Sequence, residues 1–223
     1  MININTVYQK VLAIINKENR GYLTPQEFNL FANQAQIEIF EQYFFDLNQY
    51  KRLATNNTEY ADLYKITDEK LSKFKKEATL IYSTDSFQIP SDLHKLGKLT
   101  YNNIQLEKVD KKTLNEYVSS KLTTPTVNNP LYIQSISNSA LQWNIKVYPT
   151  SIISGVECTY VRKPSAPQWG YTQVDGSALY NAGQSQDFEL HSSEETNIVL
   201  KILLYTGVSI KDPNIAQISD AKE

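Results

Sequence analysis

Apolar residues first recur at helical spacing between Asn5 and Ile15, where Val7, Val11, Leu12, Ile14 and Ile15 interrupt a polar background. A second helical pattern runs from Thr24 to about Tyr50, enough for a helix of roughly 40 Å at 1.5 Å per residue. Phe28, Phe31, Ala32, Ala35, Ile39 and Tyr43 fall on one of its faces. Leu30, Ile37 and Phe44 recur at seven-residue spacing on the opposite face, flanked by Phe40 and Leu47. A surface helix needs one apolar stripe, so a helix apolar on two sides is buried on two sides. Two readings follow: a central core helix, or a helix whose second face meets another subunit.

A shorter helical run carries Leu63, Ile66, Leu71 and Phe74. From about Thr79 the period changes to two. "ATLIYS", "SFQIP", "KLTY", "IQLEKV", "PLYIQSIS", "LQWNIKVYP" and "GVECTYVRKP" read as strands, and "KKTLNEYV" as a short helix opened by Asp110. Asn102-Asn103 suits a two-residue hairpin turn, because asparagine tolerates positive φ. Residues 164–187, "PSAPQWGYTQVDGSALYNAGQSQD", show no clear period but contain Trp169, Tyr171 and Tyr180, which a solvated linker would not favour. They read as an extended arm. "HSSEETNIVLKILLYTG" then predicts a helix with a Ser192–Glu195 capping box, a buried face of Ile198, Val199, Ile202 and Leu203, and Gly207 as the cap at its end. The fold class is therefore α+β. A helical bundle over 1–78 is completed by a C-terminal helix and tail over 188–223, with an antiparallel β unit inserted over 79–163 and a long extended arm over 164–187.

Composition narrows the function. Lys and Arg number 22 against 24 Asp and Glu, a net charge of −2, which disfavours sequence-independent nucleic-acid binding through a basic face. No apolar run reaches the roughly 18 residues of a membrane span, and the N-terminus lacks a basic region followed by an apolar signal core. The one cysteine, Cys158, excludes an intrachain disulfide and fits a reducing cytoplasm; its alternation with Val156 and Tyr160 places it in a buried strand. Tyrosine is abundant (15) and histidine scarce (2), a bias toward interfaces and away from acid–base catalysis.

The candidate chemistry is thin. Asn16 to Glu27 imitates a calcium loop with Gly21 at its sixth position, but it offers only Glu18 and Glu27 as carboxylates and sets Arg20 where a ligand belongs. Thr24-Pro25-Gln26-Glu27 is better explained as a capping box with proline at the first helical position. His191 and Glu195 lie one helical turn apart, but two ligands do not close a metal site. His94 stands alone, and Val174 to Ser177, "VDGS", is a turn signal. No phosphate-binding loop, dinucleotide fingerprint or nucleophile elbow is present, so neither an enzyme nor a cofactor is expected.

Several stretches in order carry a resemblance: "NKENRGYLTPQEFNLFANQAQIEIFEQYF", "FQIPSDLHKLG", "VYP", "YVRKPSAPQWGY" and "FELHSSEETNIVLKILLYTGVSIKDPNIAQ". The chain resembles structural proteins of crAss-like and related marine tailed phages. More distantly it is similar to the head-to-tail connector adaptors of short-tailed phages, including the tail tubular A type. The resemblance implies a non-catalytic virion protein at the head–tail junction, assembled in the bacterial cytoplasm. It would form a homo-oligomeric ring, usually twelvefold, below the portal protein and next to other tail or ring proteins. DNA would pass through without specific binding, which the near-neutral charge suits. Leu30, Ile37, Phe40, Phe44, Trp169, Tyr171 and Tyr180 are then candidates for the subunit interface, and Ile215 and Ile218 in the weakly apolar tail for portal contact. The alternatives are a structural protein at another tail level, a DNA-binding accessory protein, which needs a basic face, and a cell-wall hydrolase, which needs a paired acid and base or a metal.

Overall fold

The computed structural model describes residues 1–17, 23–52, 58–136 and 143–209. Ile215 and Ile218, and residues 18–22 of the calcium-like loop, lie outside them. The chain is α+β and divides into two compact units, residues 1–72 with 164–223, and residues 73–163.

The first unit begins with α1 (Ile4–Lys17), capped by the Asn3 carboxamide, which accepts from the Thr6 amide at 3.0 Å. Ile4, Val7, Tyr8, Val11 and Ile15 are buried, a single stripe that leaves Ile14 exposed. α2 (Pro25–Arg52) opens on the expected capping box. Thr24 Oγ1 accepts from the Glu27 amide at 3.2 Å, and Glu27 Oε2 accepts from the Thr24 amide at 2.9 Å. Hydrogen bonds from the Thr24 hydroxyl and amide hold the Glu27 carboxyl below the usual carboxylate range. α3 (Thr58–Ser72) packs on α2 and buries Thr67 and Leu71.

The second unit starts at β1 (Lys75–Thr79), four residues earlier than the change of period suggested. β2 (Ile81–Ser83), β3 (Ser86–Gln88), β4 (Leu93–Tyr101), β5 (Ile104–Gln105) and β6 (Glu107–Lys108) precede α4 (Lys111–Ser119). β7 (Leu131–Ile136), β8 (Trp143–Tyr148) and β9 (Val156–Arg162) follow it. One sheet has the order β1-β9-β4-β5, the other β2-β3-β8-β7-β6. Every pairing is antiparallel except β6 with β7. Asn102 and Asn103 both take positive φ, 47° and 64°, as the expected β4–β5 turn requires; Thr84 and Asp85 do the same between β2 and β3. Phe87, Leu99, Leu106, Ile145, Val156 and Cys158 lie in the core, and burial pushes the Cys158 thiol up. Leu114 of α4 closes a smaller cluster with Val109 and Leu131.

The chain then returns to the first unit. Residues 164–187, expected to lack regular structure, contain a hairpin of β10 (Tyr171–Val174) and β11 (Ser177–Tyr180) around Asp175-Gly176, both at positive φ. Each strand is only 4 residues long and lacks an apolar alternation, so no period was visible. α5 (Glu195–Ser209) packs on α1 and α2 through Ile198, Val199, Ile202 and Leu203. Two expectations about its ends fail. The side chain that caps the turn leading into it is His191, whose Nδ1 accepts from the Ser193 amide at 3.2 Å, while Glu195 pairs with Lys10. Gly207 lies inside the helix, which runs on to Ser209, and both Thr206 and Gly207 are buried.

Candidate interaction surfaces

α2 is two-faced, but its faces are not divided as the spacing suggested. Phe28, Ala32, Ala35, Ile39 and Tyr43 are buried, and Phe40, assigned by sequence to the second face, is only 1% exposed. It meets Phe44 edge-on at 5.2 Å. Phe40 is therefore core and has no surface to offer a neighbour. Leu30 is 70% exposed, Ile37 40%, Phe45 is exposed and Phe44 half-buried. Leu30 to Phe44 spans about 21 Å of helix. Exposed Gln34 and Glu41 alternate with Leu30, Ile37 and Phe44 along this stripe, so the row is an interrupted one.

The aromatic segment divides likewise. Trp169 is 2% exposed, packed against Tyr8 at 4.2 Å, with its indole N–H donating to Asn5 Oδ1 at 3.1 Å. It is an anchor within its own chain, which corrects its assignment to a subunit interface. Its Gly170 neighbour passes so close to Gln184 that a Cβ there would lie 2.6 Å from the Gln184 backbone. Tyr171 and Tyr180 face each other across the hairpin, both in ring contact with Trp169, and keep part of their surface in solvent.

What holds this segment was not read from the sequence. Asn29 of α2 accepts from the Trp169 amide at 2.7 Å and donates to its carbonyl at 3.2 Å. Gln36, two turns on and fully buried, donates to the Ser165 carbonyl at 2.8 Å and accepts from the Glu189 amide at 3.0 Å. Each carboxamide thus supplies one donor and one acceptor to extended backbone. The available signal was Gln36 standing in phase with Ala32, Ala35 and Ile39, a polar residue inside an apolar stripe.

A second polar cluster also escaped the sequence reading. Glu194, 4% exposed, accepts from Lys70 Nζ at 2.5 Å and from Asn197 Nδ2 at 2.7 Å. Burial pushes its carboxyl up, but the Lys70 and Asn197 hydrogen bonds and the Lys70 charge outweigh it and hold the group below the usual range. Tyr43 lies beside them, its hydroxyl raised by burial and then by the Glu194 charge. Its ring lies 5.6 Å from the Lys70 ammonium. These groups border a cleft of about 470 Å³ between α2, α3 and α5. A carboxylate already paired with lysine and a tyrosine held protonated do not make an acid–base couple. Among the described residues no three of His, Cys, Asp and Glu are grouped to hold a metal, and no helix is long and apolar enough to cross a membrane. No protein-family model matches the chain, and no curated protein shows significant similarity to it.

Proposed function

We propose that this chain is a virion structural protein, an adaptor that forms a homo-oligomeric ring below the portal of a tailed phage and continues the DNA path from head to tail. The exposed row of Leu30, Ile37 and the Phe44–Phe45 pair on α2 carries the reading. The sequence resemblance supplies the setting. In this reading α1, α2, α3 and α5 are the bundle of the adaptor, residues 73–163 its inserted β unit, and residues 164–187 an arm folded back on α1 and α2. A cyclic ring uses two different patches per subunit, since a head-to-tail contact closes only by rotation. The α2 row is one patch and the solvent-facing edges of Tyr171 and Tyr180 belong to the other. The protein's role is assembly, without catalysis and without a cofactor.

Native mass measurement of the purified protein, alone and mixed with its portal, tests the proposal. The expected result is a closed ring, alone or on the portal. A strict monomer that gains no mass with the portal overturns it.

A further inference from the structure

The near-neutral net charge is a sum of two opposed parts. Residues 73–163 hold 12 Lys and Arg against 7 Asp and Glu, a formal +5, whereas the remaining residues hold 10 against 17, a formal −7. Whole-chain neutrality had argued against nucleic-acid binding, but a charge balance says nothing about a basic patch confined to one unit.

Within the β unit the basic side chains gather around an exposed indole. Trp143, the first residue of β8, is 52% exposed, in contrast to the buried Trp169. It stands between two depressions of about 560 and 480 Å³ that share Trp143, Lys108 and Gln134 as their common wall. His94, Lys95 and Lys163 line the first; Lys111 and Lys146 line the second. Asp110 is the one carboxylate lining either, among the described residues. Lys146 is offset by its ion pair with Asp85, whereas Lys108 donates to the neutral Gln134 carboxamide at 3.2 Å and keeps its charge. The six residues joining β7 to β8, Ser137 to Gln142, carry no charge in the sequence.

Lysines along a groove neutralise phosphates, and a half-exposed aromatic ring among them gives a base a surface to stack on. That combination recognises single-stranded nucleic acid without regard to sequence. An acidic protein surface would match the charge and also packs on an indole, but lysines on both sides of one flat ring fit the alternation of phosphate and base better. We infer that the groove across Trp143, flanked by Lys95, Lys108, Lys111 and Lys163, binds single-stranded nucleic acid, phosphates on the lysines and a base on the indole. The inference does not rest on the ring reading, because one chain carries the whole site.

Oligothymidylate titrated into the full chain at low salt tests it, with tryptophan emission and anisotropy as readouts. Trp143 emission should be quenched while buried Trp169 is not, so the Trp143→Phe variant should lose most of the quenching yet keep the Trp169 signal. Binding should weaken with salt, log K falling by about 0.7 per log unit of salt for each phosphate neutralised. Trp143→Leu should weaken binding about 10-fold or more, the weight of one stacked base. The Lys108→Glu, Lys163→Glu double variant, at two exposed positions, should abolish it with an unchanged circular dichroism spectrum. Absence of binding at low salt overturns the inference. Equal binding of polyglutamate with no effect of Trp143→Leu also overturns it, and would point to an acidic protein partner. Either result leaves the native mass test of the ring untouched.

Discussion

Lys70 and Glu194 illustrate how burial and pairing compete at one residue. A carboxylate nearly out of water is stabilised only while its cation is present, and removing one partner of a buried pair costs roughly 3–5 kcal/mol. Lys70→Ala is therefore expected to destabilise the protein by about that much. Its pH dependence should weaken as well. In the wild type the carboxyl of Glu194 is lower in the folded chain than in the unfolded one, so its contribution is fully present above the unfolded value and is lost as pH falls through the folded value. In Lys70→Ala, burial is opposed only by the Asn197 and Tyr43 hydrogen bonds, so the group is held less far down and less stability is lost on acidification. Urea midpoints between neutral and acid pH check this; a parallel acid response in both proteins would contradict the pairing.

Elements depend on their ends and on the face they hide. The Thr24–Glu27 box at the start of α2 has both of its reciprocal hydrogen bonds, so Thr24→Ala should lower stability by about 1 kcal/mol. The same box engages the carboxylate a calcium site would need, so calorimetric titration with calcium should show no stoichiometric site tighter than about 1 mM. The outer face of α2 makes the opposite kind of prediction. Leu30 and Ile37 touch water, so Leu30→Ser with Ile37→Ser should leave the melting temperature of the isolated chain nearly unchanged but prevent assembly into larger species, read by native mass. Unfolding of the double variant as a monomer would make that face ordinary core. Phe40 and Phe44 are unsuitable for this test, since Phe40 is core and Phe44 packs on it.

At the scale of the whole molecule, the two compact units have separate cores and each holds one tryptophan. Gln36→Ala removes a buried carboxamide and its hydrogen bonds to the Ser165 carbonyl and the Glu189 amide in the helical unit, about 0.5–1.5 kcal/mol for each bond. Changes at distant sites with no shared partners act independently. The expected outcome is a lower unfolding midpoint by Trp169 emission, measured in a Trp143→Phe background, and an unchanged one by Trp143 emission in a Trp169→Phe background. Equal shifts by both probes would mean that the units unfold as one.

By itself the sequence determined what depends on neighbours a few residues apart. The helix and strand periods, the Thr24–Glu27 box, the Asn102-Asn103 turn and the burial of Cys158 follow from local geometry and the alternation of apolar positions. Only the tertiary structure decided which apolar residues remain open to water. Phe40 and Leu30 look alike in a periodic pattern, yet one is core and the other exposed, because α3, α5 and the returning segment cover one part of α2 and leave Leu30 open to water. The same holds for Trp169 and Trp143, and for the Asn29 and Gln36 clasps, whose partners lie 140 and 153 residues away in the chain. Charge divides between the two: the lysine excess over residues 73–163 stands in one contiguous stretch of the sequence, while the basic groove around Trp143 exists only because the fold brings residues of β4, β6, β7 and β8 to line one depression.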